Sequence, residues 1–138
     1  MYNLTRGERN NNPCNIRKSG SVWDGKIIPG FDANFEQFDT TIDGIRAGAK
    51  ILLTYYKRYG LSRVIDIITR WAPSSDNNPT EIYAQNVADE LKVNVDDRIN
   101  PSDPVILEGL MKGIINQENG RINYSDDDIM TAVKEAIG

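Results

Sequence analysis

From Asp43 onward, apolar residues recur every three or four positions, the spacing that lines one face of an α-helix. Ile45, Ala49, Leu52, Leu53 and Tyr56 form the first such stripe, and Gly60 stands where a helix stop is expected. Ser62 is placed to cap a short helix carrying Val64, Ile65, Ile67 and Ile68, which ends before Trp71-Ala72-Pro73. Asn78, Pro79 and Glu81 read as a cap, a first-turn proline and a capping-box glutamate. They open a helix with Tyr83, Val87 and Leu91 on one face. After a polar connector, Asp103 and Pro104 repeat the cap-then-proline signal and start a helix that turns Leu107, Leu110, Met111, Ile114 and Ile115 inward. Ser125 opens a last helix, with Ile129, Ala132, Val133 and Ala136 inward. Asp126, Asp127 and Asp128 lie in its first turn, where the helix dipole favours negative charge.

Residues 1–41 follow a different pattern. They are rich in Asn, Gly and aromatic residues, and their apolar pieces are short: Lys26-Ile27-Ile28 and Asn34-Phe35-Glu36-Gln37-Phe38. Such pieces predict short strands in a hairpin or meander, with Asp24-Gly25 and Pro29-Gly30 as turns. The expected fold class is therefore mostly α, of the α+β kind. It is one domain over 1–138, with a small polar β/loop lobe at 1–41 and a helical lobe at 42–138. A cleft between two such lobes is a natural seat for an extended ligand.

The length of 138 residues suits one domain with one core. No apolar run approaches the roughly 20 residues needed to span a membrane, and the N-terminus lacks the apolar core of a signal peptide. The expectation is synthesis in the cytoplasm, no membrane insertion, and delivery by other means to any target outside. A net charge of −4 argues against nucleic acid as partner. The charge is uneven: Arg6, Arg9, Arg17, Lys18 and Lys26 against Glu8 and Asp24 give residues 1–30 a balance of +3, which leaves −7 on the other 108. This reads either as an ordinary basic surface or as a basic rim for an acidic polymer.

Histidine is absent and cysteine occurs once, at Cys14. These two facts remove Ser-His-Asp and Cys-His catalysis and the His- or thiolate-ligated zinc hydrolases. No phosphate-cradling glycine motif is present. Acid–base work would fall to carboxylates, and glycosidic bond cleavage is the reaction that runs most readily on carboxylates alone.

Glu118 is the first candidate. It continues the stripe of Leu107, Met111 and Ile114, so the core-facing row of its helix ends on a carboxylate. The negative end of the helix dipole and partial burial both favour the uncharged acid, the form a proton donor needs. The plainer reading is a solvent-facing glutamate on a fraying turn. A second carboxylate, about 5 to 9.5 Å away in glycosidases, would come from Glu8, Asp24, Asp32, Glu36 or Asp39, with Asp32 first. The Asn10-Asn11-Asn12-Pro13-Cys14-Asn15 turn offers Asn11, Asn12 and Asn15 to sugar hydroxyls and N-acetyl groups, although Asn also shapes turns by bonding its own backbone. Trp23 and Trp71 adjoin turn residues and are the better groove aromatics. Tyr124, near a predicted loop, is a further candidate, and Tyr55, Tyr56 and Tyr83 read as core.

"RGERNNNPCNIRKS", "WDG", "FEQFDT", "GIRAGAKILLTYY", "IITRWAPSSDNNPT" and "IINQENGRINYSDDDI" follow one another in an order that resembles a family of small bacteriophage and prophage proteins related to lysozyme-like murein hydrolases. Glu8 and Cys14 stand where that family leads one to expect an apolar residue and a glycine. A second resemblance is to autolysin-type glucosaminidases and lytic transglycosylases, in which an "IxxESG"-like helix end precedes an Asn-rich turn and a "WxG". Here the Asn turn and Trp23-Asp24-Gly25 come first and Asn116-Gln117-Glu118-Asn119-Gly120 comes late, as if circularly permuted.

The resemblance implies a lysozyme-like fold that cleaves peptidoglycan glycan strands, with Glu118 as catalytic acid and no metal or cofactor. It also implies action on the cell wall or periplasm after delivery by a phage particle, a holin or a secretion machine. A delivered toxin would imply an immunity protein as partner. The reading from another class is a non-catalytic virion or peptidoglycan-binding protein.

Overall fold

The computed structural model describes residues 3–138 and consists mainly of helices. They are α1 (Arg6–Arg9), α2 (Thr41–Tyr59), α3 (Val64–Trp71), α4 (Thr80–Leu91), α5 (Pro104–Asn119) and α6 (Asp126–Ile137), with a single 3-10 turn at Ser74–Asp76. Helix α2 packs along α6, α4 along α5, and α3 on α4, while α5 also meets α6. The core lies among them. Every inward residue expected on α5 is fully buried, as are Ile45 and Leu52 of α2 and Ile129 and Val133 of α6.

The helix ends show which local signals prevailed. Gly60 and Gly120 close α2 and α5 in left-handed conformation, with φ of 68° and 73°. Asp103 accepts from the Val105 amide and Ser125 from the Asp128 amide, so both are caps as expected. Two expected caps are not formed. Ser62 does not cap α3; its hydroxyl accepts from Arg98 and its carbonyl from the Ile99 amide, which ties the 92–101 connector down. Asn78 does not cap α4 either. Its amide donates to the Pro73 carbonyl across the turn, and Pro79 takes the cap position without a side-chain bond.

The β lobe expected at 1–41 is not a sheet. It contains isolated antiparallel bridges, Arg17 with Phe35 and Lys26 with Phe38, and among the described residues no strand forms. The expected pieces 26–28 and 34–38 do meet, with Ile27 donating to the Gln37 carbonyl, but 34–36 also pair with the unexpected piece 16–18, where Lys18 donates to the Asn34 carbonyl and Glu36 to the Ile16 carbonyl. They are only two or three residues long before an Asn, Asp, Gly or Pro turns the chain, too short for a ladder. In their place the segment is organised by buried polar side chains, Asn12 and Glu36 among them.

Helix α2 carries the seat for this segment. Gly44 and Gly48 lie one turn apart on the same face. A Cβ on Gly44 would collide with the Asn11 carbonyl, and one on Gly48 would come within 2.8 Å of Cys14 Sγ and 2.9 Å of Met111 Cε. The loop 11–14 thus rests directly on helix backbone. Gly44→Ala should cost about 1–3 kcal/mol of stability through this overpacking. Urea unfolding measures it, and a variant as stable as wild type would show that the loop yields freely.

Candidate active site

Glu118 occupies the last turn of α5, just before the Gly120 stop, and is half-buried. Its Oε1 accepts from Asn15 Nδ2 at 2.9 Å and its Oε2 from the Tyr83 hydroxyl at 2.8 Å. Tyr83, buried on α4, accepts in turn from Trp71 Nε1 at 3.0 Å. A line of hydrogen bonds therefore runs from the end of α3 through α4 to the carboxylate, and a second contact reaches it from the N-terminal segment. The carboxylate has one orientation fixed from two sides.

Beside it opens a cleft of about 300 Å³. Asn15 and Arg17 of the N-terminal segment, Tyr55 of α2, Trp71 of α3 and Glu118 are among the residues lining it. Asp76 and Asn78, in the connection between α3 and α4, complete one side. Cys14 also borders the cleft but is buried. Burial first, and then the nearby Glu118 charge, push its thiol well above the usual range. It is therefore held as a thiol, which removes it as a nucleophile. The same two causes push up the Tyr83 hydroxyl, so Tyr83 stays a proton-bearing donor to Glu118.

Of the residues expected at the site, the fold brings Glu118, Asn15 and Trp71 together. The others lie elsewhere. Asn12 is fully buried; its amide donates to the Ile16 and Glu36 carbonyls and its oxygen accepts from the Ile16 amide. Asn11 donates to the Phe38 carbonyl and accepts from the Thr41 hydroxyl. Both asparagines build the turn, as their type commonly does. Trp23 and Tyr124 pack partly buried against the core and do not line the cleft.

Asp32, expected as the second carboxylate, is outside the cleft lining as well. It accepts from Arg6 Nε and Nη2 at 2.7 Å each, from Asn10 Nδ2 at 3.0 Å, and from the Asn34 and Phe35 amides. The Arg6 bonds, followed by Asn10 and the amides, hold its carboxyl far below the ordinary range. A carboxylate so saturated is a hub for folding the loop.

Sequence reasoning missed α1 and the use of Glu8, though the signal was readable as Thr5-Arg6-Gly7-Glu8, a capping box. Thr5 Oγ1 accepts from the Glu8 amide, and Glu8 Oε1 accepts from the Thr5 amide at 2.9 Å. Glu8 is buried and paired with Arg121, at 2.9 and 2.5 Å, just beyond the end of α5. Tyr83 gave no signal, because a tyrosine on an apolar helix face reads as core.

This arrangement can be set beside known proteins. Over 127 residues the chain is 40% identical to "Protein P5" of Pseudoalteromonas phage PM2, which covers 90% of this chain and 77% of that protein. The chain belongs to the family of that phage protein. No family model matches it. The family membership makes this a phage-related protein, in keeping with the bacteriophage side of the resemblance. Among its described residues no helix is long and apolar enough to cross a membrane.

Two expectations come from this geometry. Tyr83→Phe leaves Trp71 Nε1 without its acceptor and Glu118 with one donor, and should cost about 1–3 kcal/mol in urea unfolding; no change would mean that the Trp71–Tyr83–Glu118 line carries no weight. The second concerns acid. Glu8 is held below its ordinary value, by the Arg121 hydrogen bonds above all. A carboxyl lowered on folding stabilises above its unfolded value, about 4.3, and loses that contribution as pH falls towards its folded value. Unfolding free energy should therefore fall between pH 5 and 3 less steeply in Glu8→Gln than in wild type; parallel slopes would contradict the pairing.

Proposed function

We propose that this protein cleaves the glycan strands of peptidoglycan, with Glu118 as the general acid. The observation that carries this reading is the setting of Glu118: a half-buried carboxylate beside a cleft, oriented by Asn15 and Tyr83. A chain without histidine has few other groups for acid–base work at such a place. The neighbouring side chains suit a sugar, since Trp71 and Tyr55 offer aromatic surface and Asn15 and Asn78 offer amides.

In this mechanism Glu118 gives its proton to the glycosidic oxygen as the bond to the anomeric carbon breaks, and positive charge develops on the ring. Glu118, now a carboxylate, takes a proton back from the incoming nucleophile. In a lytic transglycosylase that nucleophile is a hydroxyl of the same sugar, which closes an anhydro ring. In a hydrolase it is water, helped by a second carboxylate. Asp32 is committed to Arg6 and Asn10, so Asp76, exposed on the cleft, takes that part. The phage family fits an enzyme that opens the host wall at entry or at release, delivered there by the particle or by a holin.

A murein-clearing assay of wild type beside Glu118→Gln tests the proposal. Loss of a general acid should lower clearing roughly 10²–10⁴-fold with the circular dichroism spectrum unchanged. Normal clearing by the variant would remove Glu118 from the chemistry. A wild type that binds but never clears murein would make this a wall-binding protein. Mass spectrometry of the products separates anhydro-sugars from reducing ends.

A further inference from the structure

Among the described residues Arg17 is the one cation lining the cleft, and its charge is unspent. It is exposed, and no described acidic side chain lies within ion-pair distance of it. Its guanidinium lies over the Phe35 ring, 5.1 Å from the centroid. The same ring also carries Arg6, at 4.6 Å, whose own charge is satisfied by Asp32. The backbone beneath is fixed as well: Arg17 bridges Phe35, with Lys18 donating to Asn34 and Glu36 to Ile16 at 2.9 Å each. Of the two arginines on one aromatic plate, the first builds the loop and the second stands at the cleft with its donors unused.

A neutral sugar polymer has nothing that needs a full positive charge. A carboxylate does, because a guanidinium offers it paired N–H donors, and stacking on a ring leaves those donors available. The cleft's own acids, Asp76 and Glu118, would disfavour an anion placed without such a partner. We propose that Arg17 is a specificity-determining residue that pairs with a carboxylate carried by the glycan strand, so that the cleft selects acidic over neutral N-acetylated glycans. The inference rests on the reading of this cleft as a glycan site. In peptidoglycan the carboxylate has two sources, the lactyl ether of the muramic sugar or the peptide stem attached to it.

Binding measured by calorimetry in a Glu118→Gln background, which keeps ligands intact, separates these cases. The probes are a neutral N-acetylglucosamine tetramer, a peptide-free tetrasaccharide with free lactyl carboxylates, and the same tetrasaccharide carrying its peptides. One or both acidic probes should bind about 10- to 100-fold more tightly than the neutral one, with the advantage weakened by salt and absent in Arg17→Gln. Preference for the peptide-free probe assigns the lactyl group; preference for the peptide-bearing probe alone assigns the stem. Equal binding of all three, no binding of any, or a preference that survives Arg17→Gln would overturn the proposal. An Arg17-dependent preference in a protein that never clears murein would leave this inference standing and remove the cleavage reading. Clearing without such a preference would do the reverse.

Discussion

The site depends on a clasp between the N-terminal segment and the end of α5. Asn119, next to Glu118, accepts from the Thr5 hydroxyl at 2.6 Å and donates to the Pro13 carbonyl at 2.7 Å. Two residues on, Arg121 pairs with Glu8 and donates to the Asn3 carbonyl. Between these anchors Asn15 reaches Glu118. Charge-assisted bonds such as the Arg121–Glu8 pair are the stronger members of such a set. Gly7 marks how close the approach is, since a Cβ there would lie 2.8 Å from Asn119 Oδ1 and 2.9 Å from Asn15 Oδ1. Without the clasp the N-terminal segment would have its rest on Gly44 and Gly48 but no hold on the carboxylate.

The helical part was legible because each helix buries a stripe whose spacing is set by the helix itself. Leu107, Leu110, Met111, Ile114 and Ile115 could be placed from periodicity alone, and the direction of Glu118 followed from theirs. Caps were legible where they were local, at Asp103 and Ser125. They were misread where a distant group competed: Ser62 was taken by Arg98 and Asn78 by the Pro73 carbonyl. The N-terminal segment was least legible. Its order comes from single polar contacts between residues far apart in sequence, and no periodicity encodes these. Asn12, Asn11 and Asn15 look alike in sequence. Tertiary position alone makes two of them turn-builders and the third the partner of Glu118.

Asp32 and Glu118 show how surroundings separate two carboxylates of one chain. Asp32 receives two bonds from a guanidinium, one from an amide side chain and two from backbone amides. Nothing is left for a substrate, and protonating it would break several bonds at once. Glu118 receives one bond at each oxygen from neutral donors, in reach of a cleft. The first environment spends a carboxylate on architecture. The second holds one in a fixed direction beside a cleft, with far fewer bonds committed to architecture. The neighbouring arginines differ in the same way, Arg6 being paired and Arg17 open.

The contact between Asn15 and Glu118 spans 103 residues of sequence. During synthesis, the segment that carries Asn15 leaves the ribosome long before its partner exists, and it has no complete seat until Asn119 and Arg121 have followed. No nascent chain shorter than that can hold the assembled site. A chain terminated before the end of α5 therefore lacks both the carboxylate and the residues that hold the N-terminal segment against it.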